Sequence, residues 1–218
     1  MGYEAVIFDN DGVLLTLTSM TAHREGAREA FDRVGVADPH PDHVDEMSIG
    51  VSVDRLEAVC SAYDVAPETF WSARDAAISE AQCDEMTAGE KRPYDDIDTL
   101  ADFDSPLGVV SSNQQATVDF AFDHFGLSHH FETVHAREPT IESLERKKPR
   151  PYYVERAVEE LGVSDALFVG DNESDVRAAH NAGIDSAFIR RPHRVDADLG
   201  VTPDYEVWTL DDVRTIAD

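Results

Sequence analysis

The chain has 218 residues, with Lys+Arg 18 against Asp+Glu 45 and a formal net charge of −27. A field of that sign repels nucleic acids and anionic membranes, so neither is an expected partner. Hydrophobic residues make up 42% of the chain and recur along its whole length, which excludes a disordered acidic tail and supports a buried core.

Residues 3–8 (YEAVIF) form a near-continuous apolar run of strand length that stops at the polar turn Asp9-Asn10-Asp11-Gly12. Such a run suits a central parallel strand buried on both faces. Residues 107–110 repeat the pattern and end at Ser111-Ser112-Asn113. Residues 166–169 end at Gly170-Asp171-Asn172, and residues 186–189 end at Arg190. Residues 131–134 and 205–207 are weaker strand candidates. Segments 114–125, 151–161, 174–182 and 211–217 carry apolar residues at helical spacing, with Pro151 suited to a first turn and Gly162 and Gly183 to helix ends. This alternation predicts an α/β fold, a doubly wound, Rossmann-like parallel sheet.

Residues 9–106 hold no comparable strand. Segments 21–34, 53–63 and 67–82 read as amphipathic helices, punctuated by Pro39, Pro41 and Gly50, and Arg92-Pro93 marks the return. That is too much chain for a connection. Residues 17–91 are therefore expected to form an inserted all-α helical cap, with 1–16 and 92–218 forming the α/β core.

No apolar stretch approaches the ~18 residues of a membrane span. Met1-Gly2-Tyr3-Glu4 lacks the basic and apolar parts of a signal peptide. Cys60 and Cys83 have neither CxxC spacing nor neighbouring histidines, so zinc and a disulfide framework are not expected. A soluble cytoplasmic protein with free thiols follows. The three lysines, Lys91, Lys147 and Lys148, are few beside so many carboxylates. This balance looks like that of cytoplasmic proteins of salt-accumulating halophiles, where a Debye length of about 3 Å at ~1 M salt relieves self-repulsion. The charge then reports the solvent and not the substrate.

Open parallel sheets bind ligands beyond the carboxyl ends of their strands. Asp9 and Asp11, Ser111, and Asp171 all fall there, with Asp175 in the helix turn that follows and Lys148 before another helix. One of two neighbouring carboxylates can attack an electrophile while the other manages protons. The string is not a calcium loop, because Met20 stands where an EF-hand places its glutamate. Four carboxylates in one crevice repel one another without a cation, and an all-oxygen set suits Mg²⁺. Ser111 can donate to an anionic oxygen, assisted by the backbone N–H groups after it. Lys148 supplies a local positive centre for a dianion. Read singly, each string has a plain alternative, an ordinary turn, a helix cap or a solvated basic turn.

Together and in this order, Asp9–Val13 (DNDGV), Ser111, Lys148-Pro149-Arg150-Pro151 and Gly170–Asp175 (GDNESD) resemble the haloacid dehalogenase superfamily, in its phosphoglycolate phosphatase-like and β-phosphoglucomutase-like branch with a helical cap. The resemblance implies that Asp9 is the nucleophile, forming an aspartyl-phosphate, and a Mg²⁺ ligand. It makes Asp11 the general acid and base, with its backbone carbonyl on the metal. Ser111 would bind phosphate oxygens, with Ser112 the fallback one residue on and Asn113 beside it. Lys148 would hold nucleophile and phosphoryl group, Asp171 would bind Mg²⁺, and Asp175 would ligate or orient it. The implied substrate is a small phosphomonoester.

Two departures bear on substrate. The acidic residue that phosphoglycolate phosphatase-like members carry soon after this string is absent from Leu14-Leu15-Thr16-Leu17. Gly50-Val51-Ser52 and His23 resemble the β-phosphoglucomutase cap, but Val53 stands where the mutases have arginine. A Mg²⁺-dependent phosphatase is the expected activity. The alternatives are a phosphomutase, a 2-haloacid dehalogenase, which would lack the second aspartate, and a non-catalytic binding protein on the same scaffold.

Overall fold

In a computed structural model, which describes residues 2–217, the first strand β1 (Ala5–Phe8) leads into four helices: α1 (Met20–Arg33), α2 (Pro41–Ser48), α3 (Val53–Ala62) and α4 (Pro67–Ala88). The chain then alternates β2 (Leu107–Gln114), α5 (Gln115–Phe125), β3 (Thr133–Arg137), α6 (Tyr152–Leu161), β4 (Ala166–Gly170), α7 (Glu173–Ala182), β5 (Asp185–Ile189), β6 (Tyr205–Val207) and α8 (Leu210–Ala217). All strand pairs are parallel, and the six strands run in the order β3-β2-β1-β4-β5-β6.

β1 sits at the middle, with Val6 beside Leu107 on one side and Leu167 on the other. Alternate side chains of β1 point to opposite faces, and each face has its own core. Val6 and Phe8 pack with Val118 of α5 and Val213 of α8, whereas Ala5 and Ile7 pack with Val154 of α6 and Ala178 of α7. The continuous apolar reading of β1 reflects this two-sided burial. Strand order reverses between β1 and β4, which makes the crevice beyond their carboxyl ends the topological switch point.

Helices α1 to α4 bury a separate apolar cluster that includes Phe31, Met47, Leu56, Phe70 and Ile78. Ser19 and Ser52 cap α1 and α3 by accepting from Ala22 N and Arg55 N. Gly89, at φ 77°, ends α4 in the left-handed conformation.

The elements differ from the sequence reading in three places. Pro41 starts α2 instead of breaking the chain, because a first helical position needs no N–H donor and His40 accepts from Asp42 N before it. α4 runs on to Ala88, past residue 82. β2 does not end at Val110: it continues through Ser111, Ser112 and Asn113, and Gln114 pairs with Arg137 after a register shift. The polar side chains there hid a backbone that still pairs. Among the described residues, no helix is long and apolar enough to cross a membrane.

Candidate active site

Asp9 follows β1 directly, and its N–H extends the ladder to Val169 O at 2.8 Å. The chain then folds over Asn10, whose carbonyl accepts from the N–H groups of Val13, Leu14 and Leu15 at 3.3, 2.9 and 3.0 Å. Gly12 lies at φ +84°, and a β-carbon there would come within 2.6 Å of Asp171 Oδ2. Gly170 is equally constrained, since its β-carbon would lie 2.2 Å from Asp175 Cβ. These two glycines let the β1 turn, the end of β4 and the start of α7 close on one another.

The closure brings Asp9, Asp171 and Asp175 together, each buried and each offering a carboxylate oxygen within 4.8 Å of the others. Lys148 Nζ lies 2.9 Å from Asp9 Oδ2 and 2.8 Å from Asp175 Oδ1. Burial pushes the Asp9 carboxyl well above its ordinary range; Lys148 opposes this, and Asp175 and Asp171 add to it. Burial likewise raises Asp175. Burial disfavours the Lys148 ammonium, but Asp175 and Asp9 outweigh it and hold its pKa above that of a free lysine. For Asp171, burial is outweighed by the bond to His193 and the charge of Arg194, so its carboxyl is held low.

Three buried carboxylates against the Lys148 ammonium and, at Asp171, the Arg194 guanidinium leave negative charge that a hard divalent cation would relieve. The all-oxygen donor set fits Mg²⁺. Asp175 is already engaged on both sides, for its Oδ2 accepts from Asn172 N at 2.9 Å in a capping box while its Oδ1 faces Lys148. Asp9 is engaged in the same way, with Oδ1 accepting from Asn10 N at 2.7 Å and Oδ2 beside Lys148, whereas on Asp171 it is Oδ2 that His193 and Arg194 occupy.

Asp11 contributes no carboxylate to the cluster. Its Oδ2 accepts from Asn113 Nδ2 at 2.7 Å, and its Oδ1 pairs with Lys91. Ser111 is buried, and its Oγ accepts from Asn113 N at 3.1 Å. A cavity of about 630 Å³ opens between the helices and the sheet, with Asp11, Ser112, Asn113 and Lys148 in its wall. Asp9, Asp171 and Asp175 thus meet at Lys148, which also lies in the cavity wall that carries Asp11, Ser112 and Asn113, while Ser111 is joined to that wall through Asn113.

Sequence reading missed Lys91. It is 0% exposed, and besides Asp11 it donates to Thr18 Oγ1 at 3.0 Å and to Gln82 Oε1 at 3.2 Å. Lys91 thus ties Asp11 to Thr18 before α1 and to Gln82 of α4. The available signal was the rarity of lysine and the neighbouring Arg92-Pro93. His193 and Arg194 were missed as well; they reach Asp171 Oδ2 at 2.7 and 3.1 Å from the basic run after β5. Lys91→Met removes one member of a buried ion pair. The cost should fall toward the low end of about 3–5 kcal/mol, because the Asp11 side chain is 23% exposed. A thermal melt checks it: a drop of several degrees is expected, and an unchanged midpoint would show that the pair adds nothing.

The haloacid dehalogenase-like hydrolase profile matches residues 6–189. The chain belongs to that family. It is an enzyme of this hydrolase class, and the three carboxylates with Lys148 sit where the switch point of its sheet places a ligand. A pyrophosphatase PpaX of Bacillus velezensis is 25% identical over 224 residues, covering 97% of this chain and 95% of its own. The pyrophosphatase PpaX of Halalkalibacterium halodurans is 23% identical over 99% of this chain and 97% of its own. Among solved structures, CbbY from Rhodobacter sphaeroides in complex with phosphate superposes with a TM-score of 0.69 at 22% identity, covering 94% of this chain and 93% of its own. A predicted phosphoglycolate phosphatase from Haemophilus somnus gives 0.68 at 20% identity, over 99% and 98%. These two share the doubly wound fold of this haloacid dehalogenase-like chain.

Proposed function

We propose that the protein is a Mg²⁺-dependent phosphatase that hydrolyses a small phosphorylated metabolite through an aspartyl-phosphate on Asp9. The observation that carries this reading is the pairing of Asp9 with Lys148 inside the three-carboxylate cluster. A nucleophilic carboxylate is held there beside an ammonium that can neutralise an incoming phosphoryl group. The relatives named pyrophosphatase PpaX point to the same reaction class.

In this reading Asp9 Oδ attacks phosphorus while the bond to the leaving oxygen breaks, and Asp11 gives that oxygen its proton. Asp11 then takes a proton from water, whose oxygen attacks the phosphorus of the aspartyl-phosphate on Asp9. The Asp9–phosphorus link breaks, inorganic phosphate leaves, Asp9 is again a carboxylate and Asp11 again carries its proton. Lys148 holds Asp9 and the equatorial phosphate oxygens in line, with Ser111 or Ser112 and Asn113 donating to the same oxygens. Asp9 and Asp171 would hold Mg²⁺, which when bound neutralises charge on the transferring phosphoryl oxygens. Helices α1 to α4, within residues 17–91, would act as the cap that selects the substrate.

A phosphomutase is the second reading on this scaffold, and Val53 in place of a cap arginine weighs against it. The test is phosphate release from an aryl phosphate in concentrated KCl. Activity should need Mg²⁺, vanish in EDTA and return when Mg²⁺ is restored. Full activity in EDTA would remove the metal from the mechanism. Halide release from a 2-haloacid, with no phosphate release from any ester, would replace the phosphatase reading by the dehalogenase one.

A further inference from the structure

The cavity that holds Asp11 and Lys148 has a second polar wall, made by Trp71 and Arg74 of α4, Arg137 at the end of β3, and Lys147. Arg137 grips Asp75 with two bonds, 2.9 and 2.6 Å, and Arg74 Nη1 reaches the same carboxylate at 3.4 Å. Both guanidiniums stack near Trp71, with their Cζ atoms 5.0 and 4.8 Å from the ring centroid. Lys147 Nζ donates to Val51 O at 2.6 Å, and among the described residues no carboxylate pairs with it.

Two of these three cations thus share one carboxylate and the third pairs with none, in a chain whose net charge is −27. Burial, with Arg137 and Arg74 nearby, pulls Lys147 down to about 8, so the ammonium is held without an anion to stabilise it. A second observation points the same way. Trp71 is 2% exposed, and its Nε1–H has no hydrogen-bond partner. A buried donor left unpaired is costly unless a ligand supplies the acceptor. Lys147 and Lys148 are consecutive, yet one ammonium goes to the carboxylate cluster and the other to the helical cluster at Val51.

We propose that the substrate carries a second anionic group, a carboxylate or another phosphate, and that Lys147 receives it while Lys148 holds the transferring phosphoryl group. This rests on the phosphatase reading above and adds the substrate class to it. Arg74 and Arg137 contribute the surrounding positive field, since their own bonds are already used by Asp75 and by the carbonyls of Met47, Ser48 and Glu138.

The test pairs binding with turnover, on the full chain with saturating Mg²⁺. Calorimetry would compare methylphosphonate with phosphonoacetate and with methylenediphosphonate, which add a carboxylate and a second phosphonate. The wild type should bind at least one of the doubly anionic probes about tenfold or more tighter. Lys147→Met should shrink that preference to below about threefold, and Lys147→Arg should restore most of it. Whichever probe gains in the wild type and loses in Lys147→Met names the second group. Equal binding of all three probes, or a preference that survives Lys147→Met in a protein with an unchanged melt, overturns the proposal and leaves Lys147 as an anchor for Val51.

Turnover separates the two readings. If phosphoglycolate, pyrophosphate and ethyl phosphate are all hydrolysed with equal kcat/KM, the second-anion site falls and the phosphatase stands. If the Lys147-dependent binding preference is present but no ester releases phosphate, the phosphatase reading falls and the anion site stands.

Discussion

Asp9→Asn should remove nearly all turnover, by about 10³-fold or more, and leave the protein folded. An amide has almost the shape of a carboxylate, and its oxygen can still accept from Asn10 N, which now meets Asp9 Oδ1 at 2.7 Å. It cannot attack phosphorus and is a poor ligand for a divalent cation. Asp9 is buried among like charges that raise its proton affinity, so removing its charge relieves repulsion while Lys148 keeps Asp175. In EDTA the variant should therefore melt at or above the wild-type temperature. Phosphate release under saturating Mg²⁺ and a melt in EDTA check both halves. Activity above a few per cent of wild type would remove Asp9 as the nucleophile.

The parts of this site that lie within a few residues of a strand end could be read from the sequence. β1 is legible because burial on both faces leaves a continuous apolar run, and the polar break after Phe8 is then conspicuous. Asp171 and Asp175 are legible for the same reason at the end of β4. What could not be read depends on partners far apart in the chain. Lys91 meets Asp11 across 80 positions, and Arg137 meets Asp75 across 62. No local periodicity encodes such pairs; only the folding of the inserted helices onto the sheet creates them. The path of β2 through Ser111 to Gln114 was hidden by polar side chains, which are needed where the strand reaches the crevice. Pro41 was ambiguous in isolation, since the same ring that breaks a helix interior favours its first turn.

Lys148→Met should damage stability and catalysis together, and only the stability loss should ease in acid. The wild-type ammonium is wholly enclosed between Asp9 and Asp175, and methionine fills similar space without charge. Removing one partner of a buried pair costs about 3–5 kcal/mol. At about 2–4 °C per kcal/mol for a chain of this size, the melt in EDTA should fall by roughly 6–20 °C. Burial already raises the carboxyls of Asp9 and Asp175 in the folded state, and losing Lys148 raises them further. A carboxyl with a raised folded-state pKa binds more protons folded than unfolded, so stability falls as pH rises from the unfolded value through the folded one. The deficit should therefore shrink when the melt is repeated near pH 5 instead of pH 8, because protonated carboxyls no longer need the ammonium. Mg²⁺ at neutral pH should also restore part of the lost stability by supplying positive charge to Asp9 and Asp171. Turnover should stay at least about 10²-fold down in all these conditions, since a protonated Asp9 cannot attack and methionine cannot neutralise the phosphoryl oxygens. A deficit that is the same at both pH values and indifferent to Mg²⁺ would mean that packing, and not charge balance, is what Lys148 contributes to the fold.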